Sequence, residues 1–166
     1  MQKLFKNPKN NTMNIIDKQQ VVVRFSGDSG DGMQLAGNIF SAVSAVLGND
    51  ICTFPDYPAE IRAPQGTLSG VSGFQVHIGD RVLTPGDSCD VLVAMNPAAL
   101  KTQIKFTTPQ TIIITDSDSF AQKDLEKALF ATNNPFEELG IKNTIIEAPI
   151  SSMCKESLKN SGLDNK

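Results

Sequence analysis

The sequence predicts an α/β fold: an open, Rossmann-like three-layer sandwich with a mostly parallel sheet and an added antiparallel hairpin. Three observations predict it. Runs of β-branched residues alternate along the chain with stretches of helical periodicity, the order that builds parallel sheets. The first of these runs ends in a glycine-rich turn that opens directly into a helical stretch. Between residues 67 and 84 the pattern changes to apolar–polar alternation followed by a Gly–Asp turn, as in a hairpin.

Residues 1–19 are polar and rich in asparagine, and are expected to form a flexible tail. Lys3, Lys6 and Lys9 are followed by no apolar segment of signal length, so this tail is not a secretory signal. The domain proper is expected over residues 20–166. Val21-Val22-Val23-Arg24-Phe25 reads as a buried first strand. A helix follows from Met33 to Leu47, with Leu35, Ile39, Val43, Val46 and Leu47 at helical spacing and Gly48 as its stop. Ile51 to Phe54 is a second strand, closed by Pro55. Strand, turn, helix and strand make a βαβ unit, for which parallel pairing and a right-handed crossover are expected.

Pro55 to Gly66 holds three prolines and no periodicity, so it is a loop. Phe74, Val76 and Ile78 alternate with polar residues as a half-buried strand; Gly79-Asp80 turns and Arg81-Val82-Leu83 returns. Asp90 to Met95 is another buried strand. Asn96-Pro97 then starts a helix over Ala98 to Ile104, because proline is tolerated in a helix's first turn. Thr111 to Thr115 is a strand. Ser119 to Phe130 reads as a helix with Asp124 and Lys127 on one face. Thr144 to Glu147 is a further strand, and Ser151 opens a last helix over Ser152 to Lys159.

The length of 166 residues suits one domain, and 40% hydrophobic with 20% charged residues is ordinary for a soluble globular protein. A net charge of −3 leaves no basic footprint for nucleic acid. No apolar run approaches the ~20 residues that cross a bilayer. Cys52, Cys89 and Cys154 are far apart without a CxxC, which fits reduced thiols in a cytoplasmic protein better than a disulfide framework. His77 shares no familiar metal-ligand spacing with them and reads as a strand residue.

Two loops carry candidate chemistry. Gly27-Asp28-Ser29-Gly30-Asp31-Gly32 joins the first strand to the first helix, where backbone N–H groups and a helix's positive end can meet a phosphate. Its pattern is G-x-x-G-x-G, unlike the dinucleotide fingerprint G-x-G-x-x-G and unlike a P-loop, and its two aspartates put negative charge where a phosphate would sit. The ribose-binding acid expected after the second strand has only Asp56 as a candidate, which argues against a self-contained NAD-binding domain. The glycines therefore either permit a tight turn with an Asp capping the helix, or present a ligand or docking surface. In the second loop, prolines hold Glu60, Arg62 and Gln65 out on the same sheet edge. Glu60 and Arg62 either pair with each other, or Arg62 turns its planar fork to an anion. Thr84-Pro85-Gly86-Asp87 and Asn96-Pro97 also fall near strand ends and could complete such a surface.

These pieces, in order, resemble one family. The segment Arg24-Phe25-Ser26-Gly27-Asp28-Ser29-Gly30-Asp31-Gly32-Met33-Gln34 is similar to the opening of the alpha subunit of 2-oxoacid:ferredoxin oxidoreductases of the 2-oxoglutarate type. Pro58-Ala59-Glu60-Ile61-Arg62-Ala63-Pro64-Gln65-Gly66-Thr67, followed by Gly70 to Val76, resembles a second signature, and Asp90 to Leu100 a third. The resemblance covers roughly residues 20 to 162. It implies a gamma-type domain in a complex that oxidatively decarboxylates a 2-oxo acid on thiamine diphosphate with Mg, forms an acyl-CoA from coenzyme A, and passes electrons through a partner's 4Fe-4S cluster to ferredoxin.

The implied partners are the thiamine-binding remainder of the alpha subunit, the beta subunit and, through the complex, ferredoxin. The resemblance gives this chain no catalytic residue and no cofactor of its own. On it, the domain is expected to be truncated at its C-terminus and inactive alone. It makes Gly27, Ser29, Gly30, Gly32, Glu60, Arg62 and Gln65 candidates for contact with coenzyme A or the partner domain. The alternatives are a stand-alone gamma subunit that only docks or gates coenzyme A, or the same enzyme acting on pyruvate or a branched-chain 2-oxo acid.

Overall fold

The computed structural model describes residues 3–6, 13–28, 30–57 and 70–159. Within the stretch where the sequence suggests a loose tail, β1 (Lys3–Lys6) and β2 (Met13–Ile16) pair antiparallel as a separate ribbon, Lys3 opposite Ile16. The main sheet has six strands: β3 (Gln20–Asp28), β4 (Asp50–Asp56), β5 (Val71–Gly79), β6 (Cys89–Ala94), β7 (Thr107–Asp116) and β8 (Thr144–Ala148), in the order β4-β5-β3-β6-β7-β8. From β3 across β6 and β7 to β8 the pairing is parallel.

β3 sits at the centre, and Val21, Val22 and Val23 are all buried. A strand covered on both faces needs a continuous apolar run, which explains why this one does not alternate. Val21 and Val23 pack with Phe74, Val76 and Phe40 on one face of the sheet. Val22 packs with Leu92, Ala99 and Leu100 on the other. The three layers are therefore α1 (Met33–Val46) on the first face, the sheet, and α2 (Pro97–Gln103) on the second.

The antiparallel addition is present, with different partners from those expected. β3 and β4 run parallel but are not neighbours, because β5 lies between them and pairs antiparallel with both. Arg81-Val82-Leu83 forms no strand. Both edges of β5 are already occupied, so no ladder position is left for it. Instead the segment folds over β5: the Gln75 amide donates to the carbonyls of Pro85 (2.8 Å) and Gly86 (2.5 Å). β4 continues through Pro55 to Asp56. It is an edge strand, where a residue without an N–H is tolerated.

The helices differ from the sequence reading in a second way. α1 spans the predicted residues but turns the other side to the sheet. Met33, Gly37 and Ser44 are its buried residues, whereas Leu35, Ile39, Val43, Val46 and Leu47 all face solvent. Gly37 explains the choice: a Cβ there would lie 2.2 Å from the Phe74 ring, so the helix rests its backbone on that ring. The helix expected over Ser119 to Phe130 shortens to α3 (Gln122–Lys127), preceded by a 3₁₀ turn at Ser117–Ser119. Leu129, at φ 58°, takes the left-handed conformation that ends the segment. α4 (Pro135–Glu138), unforeseen, and α5 (Ile150–Leu158) are the last helices among the described residues. Among the described residues no helix is long and apolar enough to cross a membrane.

Candidate functional site

The sequence of crossovers places the site. From β3 the chain passes through α1 toward β4 on one side of the sheet, and from β6 it passes through α2 toward β7 on the other. The direction reverses between β3 and β6, and open α/β sheets bind ligands outside the carboxyl ends of strands at such a point. There lies an open crevice of about 810 Å³. Phe25 and Val93 floor it, Met33 and Ala36 of α1 form one wall, and Ile150, Ser151 and Cys154 of α5 line it as well.

The glycine turn forms its rim, and its glycines are not equivalent. Gly32 adopts φ 73° and is the N-cap of α1, a conformation open to glycine but strained for other residues. Gly27 is buried, and a Cβ there would meet an Asp31 carboxylate oxygen at 2.7 Å. Gly30 has open space around it. Neither aspartate caps α1, whose N-terminus has no side-chain cap. Instead the Asp31 carboxylate folds into the turn and accepts the N–H of Asp28 at 2.8 Å, while the Asp31 N–H donates to the Asp28 carbonyl at 3.0 Å. Asp31 thus takes a backbone donor that a phosphate-binding turn would offer its ligand. The Asn96 amide ties this turn to the end of β6, donating to Asp28 (2.9 Å) and Asp31 (3.5 Å). Asn96 also caps α2, accepting from the Ala99 N–H at 2.8 Å. Burial pushes the Asp31 carboxyl above its ordinary range; the hydrogen bond from Asp28 opposes this and the neighbouring Asp28 charge adds to it.

Charge around the crevice is mixed. Asp28, Asp31, Asp118 and Asp124 face Lys123 and Lys127. Lys127 pairs with Asp124 at 3.6 Å, the helical-face contact expected from their spacing. The far wall is held by Asp116, which is fully buried. It accepts the hydroxyls of Ser151 (2.6 Å) and Ser119 (3.0 Å) and the N–H groups of Ser151 and Asp118 (3.3 Å each). Burial alone would raise this carboxyl; the donors, Ser151 foremost, instead hold it below the ordinary range. Asp118 accepts the Ser152 N–H at 2.7 Å, so two aspartates pin the start of α5 beside the crevice.

The start of the proline-rich loop is anchored from inside the sheet. Arg24 is 1% exposed, on the face opposite α1. Its Nε donates to Gln103 (2.7 Å), Nη1 to Gln75 (3.0 Å) and Nη2 to Asp56 (2.5 Å), and the guanidinium stands 4.0 Å from the Phe106 ring centroid. Desolvation lowers its pKa while Asp56 raises it. Asp56 pairs with Gly73, and Gly73 with Ser26, so β4 ends on the same sheet edge as the glycine turn, two strands or roughly 10 Å away.

Residues 22–165 match the family described as pyruvate ferredoxin/flavodoxin oxidoreductase. The chain belongs to that family. It is 51% identical over 129 residues, 77% of its length, to the 2-oxoglutarate oxidoreductase subunit KorA of Mycobacterium tuberculosis, and spans 20% of that relative. In fold it is similar to the 2-oxoglutarate:ferredoxin oxidoreductase of Magnetococcus marinus, solved with 2-oxoglutarate, coenzyme A and succinyl-CoA bound. That likeness has TM-score 0.63 and 23% identity, over 84% of this chain and 22% of the other. It is also similar to a gamma subunit of a keto/oxoacid ferredoxin oxidoreductase from Geobacter sulfurreducens, with TM-score 0.56 and 21% identity, over 84% of this chain and 66% of the other.

Of the turn's glycines, Gly30 lines the crevice, while Gly27 is buried beneath Asp31 and Gly32 stands at the start of α1. Ser29, Glu60, Arg62 and Gln65 lie outside the described residues, as does the alternative pairing of Glu60 with Arg62. Asn96-Pro97 joins the rim. Thr84 to Gly86 does not: the Thr84 carbonyl meets the His77 ring at 2.6 Å and Gly86 abuts Val22, on the sheet face away from the strand ends. The Asp116 anchor and the two lysines carry no local motif; only Asp116, the polar end of an apolar strand, could have drawn notice. The cysteines do not fit an iron–sulfur cluster, which is held by clustered thiolates. Cys52 lies on β4 and Cys154 on α5, while Cys89 is buried in the core, its thiol pushed up to about 11 by desolvation.

Proposed function

We propose that this chain is the gamma-type domain of a 2-oxoglutarate:ferredoxin oxidoreductase, working in the cytoplasm as part of a complex that converts 2-oxoglutarate and coenzyme A to succinyl-CoA and reduces ferredoxin. The observation that carries this reading is the 51% identity to a 2-oxoglutarate oxidoreductase subunit across 77% of the chain. Thiamine diphosphate, Mg and the cluster belong, on this reading, to the thiamine-binding remainder of the alpha subunit and to the beta subunit. This domain shapes the approach of coenzyme A. The crevice at the switch point suits that role, because Lys123 and Lys127 offer cations to phosphate groups, while the Asp28 and Asp31 carboxylates offer acceptors to amide and amine groups.

Coenzyme A phosphates are repelled from Asp28 and Asp31, so the turn of Gly27, Ser29, Gly30 and Gly32, which reaches the crevice at Gly30, meets its uncharged part or the partner domain. Arg62 supplies the anion contact from the second loop with its planar fork, and Glu60 and Gln65 meet coenzyme A or the partner domain beside it. The test is Arg62→Ala in the assembled complex. The Michaelis constant for coenzyme A rises about tenfold, equivalent to one charge-assisted contact of about 1.4 kcal/mol, with turnover little changed. An unchanged Michaelis constant together with unchanged assembly would overturn the assignment.

A further inference from the structure

Helix α1 carries a surface that the described residues leave exposed. Its 14 residues include no charged side chain, although 20% of the chain is charged. Its outward face presents Leu35 (64% exposed), Ile39 (56%), Val43 (54%) and Val46 (87%). These follow at steps of four, four and three, so they form one stripe along the helix, and Leu47 extends it. The exposed Asn38, Ala42 and Ala45 flank the large side chains, giving the relief of ridges and grooves on which helices pack. Single exposed apolar residues are ordinary, but a contiguous apolar stripe marks an interaction site.

The chemistry narrows the occupant. A membrane-surface helix carries Lys or Arg along its polar face, and α1 has none. A second copy of this chain would offer the same five large apolar side chains, where a stable interface takes about 20–30 residues a side. A polypeptide already held in the same assembly needs no such area, because linkage supplies an effective concentration in the mM range. The relatives point the same way, since the chain spans 20% of one and 22% of another, each with several-fold more polypeptide.

We propose that the stripe Leu35–Ile39–Val43–Val46 is the seat for an uncharged, apolar helix of the oxidoreductase polypeptide with which this domain assembles. This rests on the reading above that the domain works within such a complex.

The test is made in the assembled complex, with benzoylphenylalanine in place of Ile39 for photocrosslinking and, separately, with the double substitution Ile39→Lys, Val43→Glu. The crosslink maps to an apolar helix of the oxidoreductase polypeptide outside residues 1–166, and the double substitution weakens assembly by more than about tenfold, as loss of a buried apolar anchor does. Thermal unfolding of the variant stays as in the unaltered chain, because these side chains make none of the core. Crosslinking to a second copy's α1, or to residues 3–16 of the same chain, overturns the proposal. Equal assembly of altered and unaltered chains sinks the docking surface alone. Failure of the unaltered chain to assemble with thiamine-type polypeptides sinks the functional reading, and the docking surface with it.

Discussion

Arg24 interrupts a run of valines and phenylalanine, and nothing in that run tells what the guanidinium does. Its partners stand 32, 51 and 79 residues away, at Asp56, Gln75 and Gln103, so only the folded chain shows that one buried charge ties three elements. Removing a partner of a buried charge pair costs about 3–5 kcal/mol. Asp56 keeps some access to water (38% exposed side chain), which puts Arg24→Met near the lower end, about 3 kcal/mol. Urea midpoints measure this; a loss below about 1 kcal/mol would show that Gln75 and Gln103 repair the gap between themselves. Asp116 is half hidden in sequence: Asp118 and Ser119 follow it closely in the chain, but Ser151, its foremost donor, reaches it only once α5 docks. Its carboxyl is held below the ordinary value near 3.8, so the ionised form stabilises the fold above that pH, and the contribution fades as pH falls through the folded value. Asp116→Asn is therefore destabilised most at neutral pH, and its gap from the unaltered chain narrows in acid. A constant gap from pH 7 to pH 3 would assign the whole effect to lost hydrogen bonds.

Helical period is written in one dimension, and α1 shows what that leaves open. The spacing of Leu35, Ile39 and Val43 establishes a helix of the right length, but the side it buries is set by Gly37 and Phe74, a fit between two elements that no periodicity reports. Opposing magnitudes decide Gly37→Ala. Alanine in a helix gains about 1 kcal/mol over glycine. A Cβ at 2.2 Å from the Phe74 ring forces the helix off the sheet, and overpacking of that kind costs about 1–3 kcal/mol. The clash wins, and the substitution destabilises; a gain in stability would mean that Phe74 has an alternative rotamer to occupy. The glycine turn makes a contrasting set. Gly30→Ala stays within about 0.5 kcal/mol, having open space and no special dihedral. Gly32→Ala, at φ 73°, costs about 1–2 kcal/mol, the left-handed penalty of an L-residue. Thermal denaturation of the pair separates a turn that needs both glycines from one that needs only the second.

At the scale of the whole molecule, alternation of strand and helix makes the α/β class and the parallel right half of the sheet legible from residues alone. The left half is not, because β5 takes its place between β3 and β4 through distant pairings. Asp28 meets Val71 and Gln20 meets Gly79, separations of 43 and 59 positions that local alternation cannot encode. The same limit hides the apolar stripe: a sequence reads an apolar helix face as core, and only the sheet's position shows that this one is spare. Its consequence is measurable without a partner. Replacing Ile39 with Lys and Val43 with Glu removes apolar side chains from solvent contact, not from the core, so the unfolding midpoint shifts by no more than about 0.5 kcal/mol in stability. Binding of an apolar dye and light scattering at high concentration both fall, since an exposed apolar patch is what each reports. A drop in stability above about 2 kcal/mol, the size expected for burying such side chains, would instead make the stripe part of this domain's own core and return α1 to the orientation its periodicity first suggests.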